Sequence, residues 1–125
     1  MPRKVQPAGA EGEKLAADFL KRNGFKILER NYSCPAGELD LIALDGDEVV
    51  FIEVKSARQS EFGPPGVRVD SAKQRRLSLI ALHYFQRKKL QQVNCRFDVV
   101  SVFIPREHEP AIEHYRDAFP LRLTF

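Results

Sequence analysis

The chain has 125 residues, of which 43% are hydrophobic and 30% are charged. This length and composition predict one globular domain with its own core, and they exclude an intrinsically disordered chain. No apolar run approaches the roughly 20 residues of a membrane-spanning helix, and the N-terminus lacks the apolar stretch of a secretory signal. We therefore expect a cytoplasmic protein with no membrane partner. The net charge of +3 is compatible with a nucleic-acid partner but does not identify one.

The first half of the chain predicts one helix followed by three strands. Apolar residues at helical spacing predict the helix over residues 10–23, after a flexible tail over residues 1–8. Gly24 suits the left-handed conformation that often ends a helix. The strands are predicted over residues 25–32, 38–44 and 48–57. The Asp45-Gly46 pair between the last two strands is typical of a tight hairpin turn.

The second half predicts a long loop, a helix and further strands. The loop covers residues 58–69, and Asp70 or Ser71 can cap a helix that ends near Lys89. A nearly continuous apolar run predicts a central strand over residues 95–104. Residues 111–119 fit either a strand or a short helix. This order predicts a mixed α/β domain with helices packed on a central sheet.

The side chains that usually ligate zinc show no suitable pattern in the sequence. The two cysteines, Cys34 and Cys95, have no histidine at ligand spacing, so no zinc site is expected. Both thiols are expected to be reduced in the cytosol. None of the three histidines has a catalytic partner set that the sequence reveals.

The third predicted strand carries two charges inside an apolar run. Because side chains alternate along a strand, Val50 and Ile52 lie on one face, whereas Glu53 and Lys55 share the other. In the strand before it, Asp40 is an acid on an otherwise apolar face. A hairpin centred near Gly46 puts Asp40 roughly opposite Ile52 or Glu53, although a slip of one residue would change the face. In the predicted register Asp40, Glu53 and Lys55 converge on one patch.

Such a patch suits metal-assisted hydrolysis of a phosphodiester. Two ionised carboxylates repel each other, and a bound Mg²⁺ relieves that repulsion, acidifies a water and offsets charge on the phosphate. A neighbouring lysine can orient the attacking water. Alternatively, Glu53 and Lys55 pair with charges on neighbouring strands at a solvated sheet edge. The spacing of these two residues does not distinguish the two alternatives. The additional acid, Asp40, favours an active site over a solvated sheet edge.

An ordered set of motifs extends this patch along most of the chain. It runs Gly9-x-x-Gly12-Glu13, GELDLIA from Gly37, VFIEVK from Val50, Phe62-Gly63-x-Pro65 and Lys73-x-x-Arg76-Leu77. In this order it resembles the YraN-like bacterial family, which is similar to archaeal Holliday-junction resolvases of the PD-(D/E)XK nuclease superfamily. The resemblance implies a restriction-endonuclease-like three-layer fold, with a mixed central sheet flanked by helices. The name of the superfamily motif begins with a proline, and this chain has Leu39 at that position.

The resemblance also implies roles for particular residues. Asp40 and Glu53 become metal ligands, Lys55 becomes the catalytic lysine, and Glu13 adds a further acid to the catalytic and metal site. Glu13 has the alternative role of favouring the helix N-terminus. The residues expected to contact nucleic acid are Lys73, Arg76 and Arg58, with a solvated surface position as the alternative for Lys73. The implied cofactor is Mg²⁺, with Mn²⁺ as a substitute, and the implied partner is structured or branched nucleic acid, DNA rather than RNA.

Two other classes of function remain open from the sequence. One is a nucleic-acid-binding module that keeps the nuclease fold and cleaves little. The other is an interaction protein that dimerises or docks a partner through Leu79 and Leu82, which lie off the apolar face of the second predicted helix. A homodimer would also suit a resolvase-like enzyme, since resolving a junction requires two active sites.

Overall fold

Residues 7–57 and 69–122 are described by a computed structural model, and they form two helices and five strands. In chain order the elements are α1 (Pro7–Arg22), β1 (Lys26–Cys34), β2 (Gly37–Asp45), β3 (Glu48–Ala57), α2 (Ser71–Lys88), β4 (Cys95–Phe103) and β5 (Ala111–Phe119). Residues 1–6 and 58–68, where most of the predicted tail and loop fall, lie outside the described residues.

Local signals in the sequence account for the ends of both helices. Asp70 caps α2, because its side chain accepts a hydrogen bond of 2.8 Å from the backbone N–H of Lys73. Lys89 adopts the left-handed conformation at the other end of α2, with φ of 57°. Gly24 follows α1 with φ of 92°, as its lack of a side chain predicted. The turn between β2 and β3 contains Gly46 with φ of 61°.

The strands lie in the sheet in the same order as in the chain, β1-β2-β3-β4-β5. β1, β2 and β3 form an antiparallel meander, β3 and β4 pair in parallel, and β5 returns antiparallel to β4. Within the described residues, the one parallel pair joins the strands on either side of α2, as expected because parallel neighbours need a crossover connection. The undecided segment 111–119 is therefore a strand, and β4 lies inside the sheet as predicted.

Each face of the sheet is covered by one helix. On the α1 side, Ala16, Ala17 and Leu20 pack against β2, β3 and β4 in a fully buried cluster. On the α2 side, Leu77 and Ile80 pack against a second buried cluster. Since both faces are buried, the middle strands are apolar along most of their length. The predicted three-layer α/β fold with a mixed central sheet is confirmed. Neither helix in the described part of the chain is long and apolar enough to cross a membrane.

Candidate active site

The hairpin of β2 and β3 brings two of the predicted acids together. Leu41 pairs with Ile52 across the hairpin, so continuing the register by one residue sets Asp40 opposite Glu53. The backbone N–H of Val54 donates a hydrogen bond of 2.8 Å to Oδ2 of Asp40. Asp40 therefore turns its carboxylate towards the part of β3 that carries Glu53, as the hairpin register predicted.

The third predicted acid, Glu13, reaches the same place from α1. Gly12 is buried where α1 meets the end of β3, and a Cβ added to it would lie 2.5 Å from Cβ of Ser56. Real Cβ atoms do not approach so closely, so a glycine is needed for this helix–strand contact. The close approach allows the Glu13 side chain to hydrogen-bond Asp40. The sequence motif contained Gly12, but its steric role was missed because it depends on a contact distant in sequence.

The environment of Asp40 disfavours its ionised form. Burial is the largest influence, and the negative charges of Glu53 and Glu13 add to it. The hydrogen bond from Val54 acts in the opposite direction but is weaker, so the pKa of Asp40 rises to about 7. Three acidic side chains thus share a partly buried space, and the charges of Glu53 and Glu13 disfavour that of Asp40. A cation would relieve this repulsion, and perturbed carboxyl groups of this kind are concentrated at functional sites.

Two lysines lie on the α2 side of the three acids. Nζ of Lys73 forms an ion pair with Oε2 of Glu53, whose side chain is only 12% exposed. Lys55, two residues beyond Glu53 on β3, has a pKa below its ordinary value, because of burial first and the charge of Lys73 second. The charges of Glu53 and Asp70 partly oppose that effect. The structure therefore groups Asp40, Glu53, Lys55 and Glu13, and it adds Lys73 by direct contact.

The donor atoms suit a hard divalent cation, but they are not arranged as a complete cage. Among residues 7–57 and 69–122, no three Asp, Glu, His or Cys side chains have the mutual placement that holds a metal ion. Mg²⁺ needs only one or two carboxylates, and it completes its shell with water and substrate oxygens. Asp40 and Glu53 could supply those two carboxylates. Glu13, which the resemblance assigns to the same shell, is within hydrogen-bonding reach of Asp40.

The structure describes no contact between the three acids and the two arginines expected to contact nucleic acid. Arg76 is exposed on α2, and its side chain passes over Gly37, whose φ is 138°. Arg58 lies outside the described residues. The structure therefore places Lys73 and Arg76 on the helix that borders the acids.

A second buried carboxylate lies in the same sheet and has a different environment. Asp98 on β4 accepts two hydrogen bonds from Arg96, at 2.9 and 3.1 Å, and one of 3.0 Å from the backbone N–H of Asp117. His114 Nε2 lies 2.7 Å from its Oδ2. Burial disfavours the charge, but the bonds from His114 and Arg96 outweigh it and hold the pKa of Asp98 below its ordinary value. This set was missed from the sequence, where His114 had no visible partner.

Comparison with known proteins gives a consistent family. Residues 12–102 match the sequence model described as "Uncharacterised protein family UPF0102". The chain is 46% identical to a UPF0102 protein of Geotalea daltonii, over 90% of this chain and 89% of that protein. It is 49% identical to one of Syntrophus aciditrophicus, over 90% and 88%. A UPF0102 protein of Moorella thermoacetica is 44% identical, over 89% and 93%. These descriptions give a family and no activity.

Proposed function

Since the chain belongs to the uncharacterised family UPF0102, we propose an activity for it, that of a metal-dependent endonuclease of the PD-(D/E)XK type. Its substrate is structured or branched nucleic acid, DNA rather than RNA, as in Holliday-junction resolvases. The observation that carries this proposal is the partly buried Asp40 carboxyl, whose pKa is raised to about 7 beside Glu53 and Glu13. Lys73 pairs with Glu53, and a divalent cation would relieve the repulsion that still raises the pKa of Asp40.

The chemistry assigned to the site is hydrolysis of one phosphodiester bond. Asp40 and Glu53 would hold Mg²⁺, or Mn²⁺ in its place, and the ion would supply charge neutralisation and an acidified water. Water oxygen forms a bond to phosphorus while the bond from phosphorus to the leaving oxygen breaks. Lys55, whose pKa lies below that of an ordinary lysine, orients the water and stabilises the charge that develops on the phosphate. Glu13 positions Asp40 through their hydrogen bond.

The nucleic acid is held through its backbone in this proposal. Lys73 contacts Glu53 from α2, Arg76 is exposed on the same helix, and Arg58 follows β3 in the sequence. Lysine and arginine contacts to phosphates give binding that weakens with salt and carries little base specificity. Selectivity then depends on the shape of the substrate.

The test is a cleavage panel of duplex, branched and single-stranded DNA and RNA, with Mg²⁺, with Mn²⁺ and with chelator. We expect metal-dependent products from the wild type and at least about a hundred-fold slower cleavage by Asp40→Asn and Lys55→Met. Asp47→Asn, an exposed carboxyl in the β2–β3 turn, is the matched control and should cleave normally. Circular dichroism verifies that each variant is folded.

The outcome that overturns the enzymatic proposal is binding without cleavage. If the wild type and both site variants bind the panel equally and none of them cleaves it with either metal, the protein is a nucleic-acid-binding module of nuclease fold.

One observation favours a second candidate, an interaction protein that dimerises or docks a partner. Leu79 and Leu82 are 43% and 39% exposed on α2, as their position off its apolar face predicted. Leu121, at 51%, is also exposed. Sedimentation of the wild type against Leu79→Glu tests this candidate. A lower mass for the variant supports self-association, and an identical monomer mass for both counts against a homodimer.

A further inference from the structure

We propose that Lys73 is an exchangeable counter-ion that couples metal binding to nucleic-acid binding. In the free protein its ammonium neutralises Glu53. A divalent metal at Glu53 displaces the ammonium, which then contacts the phosphate backbone. This inference rests on the proposed function, since it concerns the same metal and substrate.

The placement of Lys73 suits this exchange. Its ammonium forms an ion pair with Glu53, an acid proposed to hold the metal. The side chain starts from the first turn of α2, next to the N-cap Asp70, so that it approaches Glu53 from the helix layer and not from the strand. The Lys73 side chain is 32% exposed, so its ammonium has access to solvent. The lysine stem is also long and flexible. The ammonium can therefore leave Glu53 without any movement of the backbone.

The charges determine the direction of the exchange. Glu53 is 12% exposed, so a largely buried carboxylate would lose its ion pair if Lys73 left without a replacement. A divalent cation is such a replacement, and at Glu53 it attracts the carboxylate and repels the ammonium. A phosphate group is the anion that the released ammonium can then bind. Metal and nucleic acid should consequently each strengthen the binding of the other, by the same factor.

The same helix provides a matched control. Lys88, near the other end of α2, also pairs with a glutamate of the sheet, since its Nζ lies 3.5 Å from Oε2 of Glu29. Replacing either lysine removes one positive charge from α2 and breaks one ion pair. Only Lys73 contacts an acid of the proposed site, so any difference between Lys73→Met and Lys88→Met reports on that contact.

The first measurement is calorimetric titration of Mn²⁺ in the absence of nucleic acid, which needs no catalytic activity. We expect Lys73→Met to bind Mn²⁺ about five-fold more tightly than the wild type, and Lys88→Met to stay within about two-fold. An unchanged affinity in Lys73→Met overturns this inference and leaves the proposed function standing, provided that Asp40→Asn weakens Mn²⁺ binding. If the wild type binds no Mn²⁺, or Asp40→Asn binds it equally well, the inference and the proposed metal site both fail.

The second measurement is the affinity for a fluorescently labelled branched DNA, by anisotropy at constant ionic strength. Ca²⁺ replaces Mg²⁺ as an oxygen-preferring cation, and chelator gives the metal-free reference. We expect Ca²⁺ to tighten DNA binding by the wild type and by Lys88→Met about five-fold, and to leave Lys73→Met within about two-fold. An equal increase in Lys73→Met and the wild type overturns the coupling. Unchanged circular dichroism of both variants shows that the comparison concerns folded proteins.

Discussion

Asp40 and Asp98 are both aspartates on strands of one sheet, but the groups that contact their carboxylates differ. Asp98 is fully buried, but Arg96, His114 and a backbone N–H saturate its two oxygens, and its pKa lies below the ordinary value. Asp40 accepts one hydrogen bond from Val54, and other acids surround it. Its pKa is raised to about 7. In both cases burial is the largest influence against ionisation. The neighbouring side chains and hydrogen bonds therefore determine whether the pKa is raised or lowered.

The contrast separates two uses of a buried carboxylate. The Asp98 set ties β4 to β5 and needs no further ligand, because donors already satisfy both carboxylate oxygens. At the other site the ion pair of Lys73 reaches Glu53, whereas Asp40 keeps a raised pKa beside Glu53 and Glu13, where α1, β2 and β3 meet. A fold tolerates such repulsion where a ligand relieves it. The following substitutions test whether the two aspartates differ in this way.

The largest expected effect is that of Asp98→Asn on stability. Arg96 keeps its ion pairs with Asp45 and Glu48, but the uncharged amide replaces a carboxylate that accepts four buried hydrogen-bond contacts. The variant should therefore lose about 3 kcal/mol of unfolding free energy. Urea denaturation measures the loss, with Asp47→Asn in the exposed turn as the control. A cost below about 1 kcal/mol would mean that Asp98 is not a structural charge.

Asp40→Asn should have the opposite effect on stability. Aspartate in an unfolded chain titrates at about 3.9, whereas Asp40 in the folded protein has a pKa of about 7. Between these values the folded state holds a proton that the unfolded state has released, so stability is lost as the pH rises towards and through 7. The neutral amide removes that loss. We expect Asp40→Asn to exceed the wild type by about 2 kcal/mol at pH 8, and by much less at pH 5.

Urea denaturation in chelator at the two pH values measures this difference. Asp98→Asn serves as the comparison, since the depressed pKa of Asp98 confines its own titration to more acidic solution and the variant should be destabilised at both pH values. If Asp40→Asn is destabilised at both pH values, Asp40 is a structural carboxylate like Asp98 and the contrast disappears.

The smallest effect is expected from Gly12→Ala, which tests how α1 positions Glu13 beside Asp40. Alanine favours a helix over glycine by about 0.5–1 kcal/mol, but the added Cβ would lie 2.5 Å from that of Ser56. Because α1 must then move away from β3, we expect a net loss of about 1 kcal/mol. The second substitution Ser56→Gly should recover part of this loss in a double-mutant cycle, measured by urea denaturation. Additive costs of the two substitutions would show that their side chains do not meet.

The meeting of Asp40 and Glu53 was predictable because its determinants are local. Asp45-Gly46 sets the hairpin, and alternation along the two strands then assigns the faces. The contacts that were missed join residues far apart in the chain. Examples are the approach of Gly12 to Ser56, the ion pair of Lys73 with Glu53, and His114 beside Asp98. The last depends on β5, which the sequence pattern did not distinguish from a helix.

The strand order has a consequence for how the molecule folds. Because spatial order follows chain order, β1, β2 and β3 can pair through short loops as soon as they are synthesised. The β2–β3 hairpin joins Asp40 and Glu53 at that early stage, whereas Lys73 arrives only with the crossover that brings β4 beside β3. Closing that longer loop costs more entropy and is slower. The acids are therefore expected to assemble before their lysine partner, so that an early hairpin carries unbalanced negative charge to which a divalent cation could bind during folding.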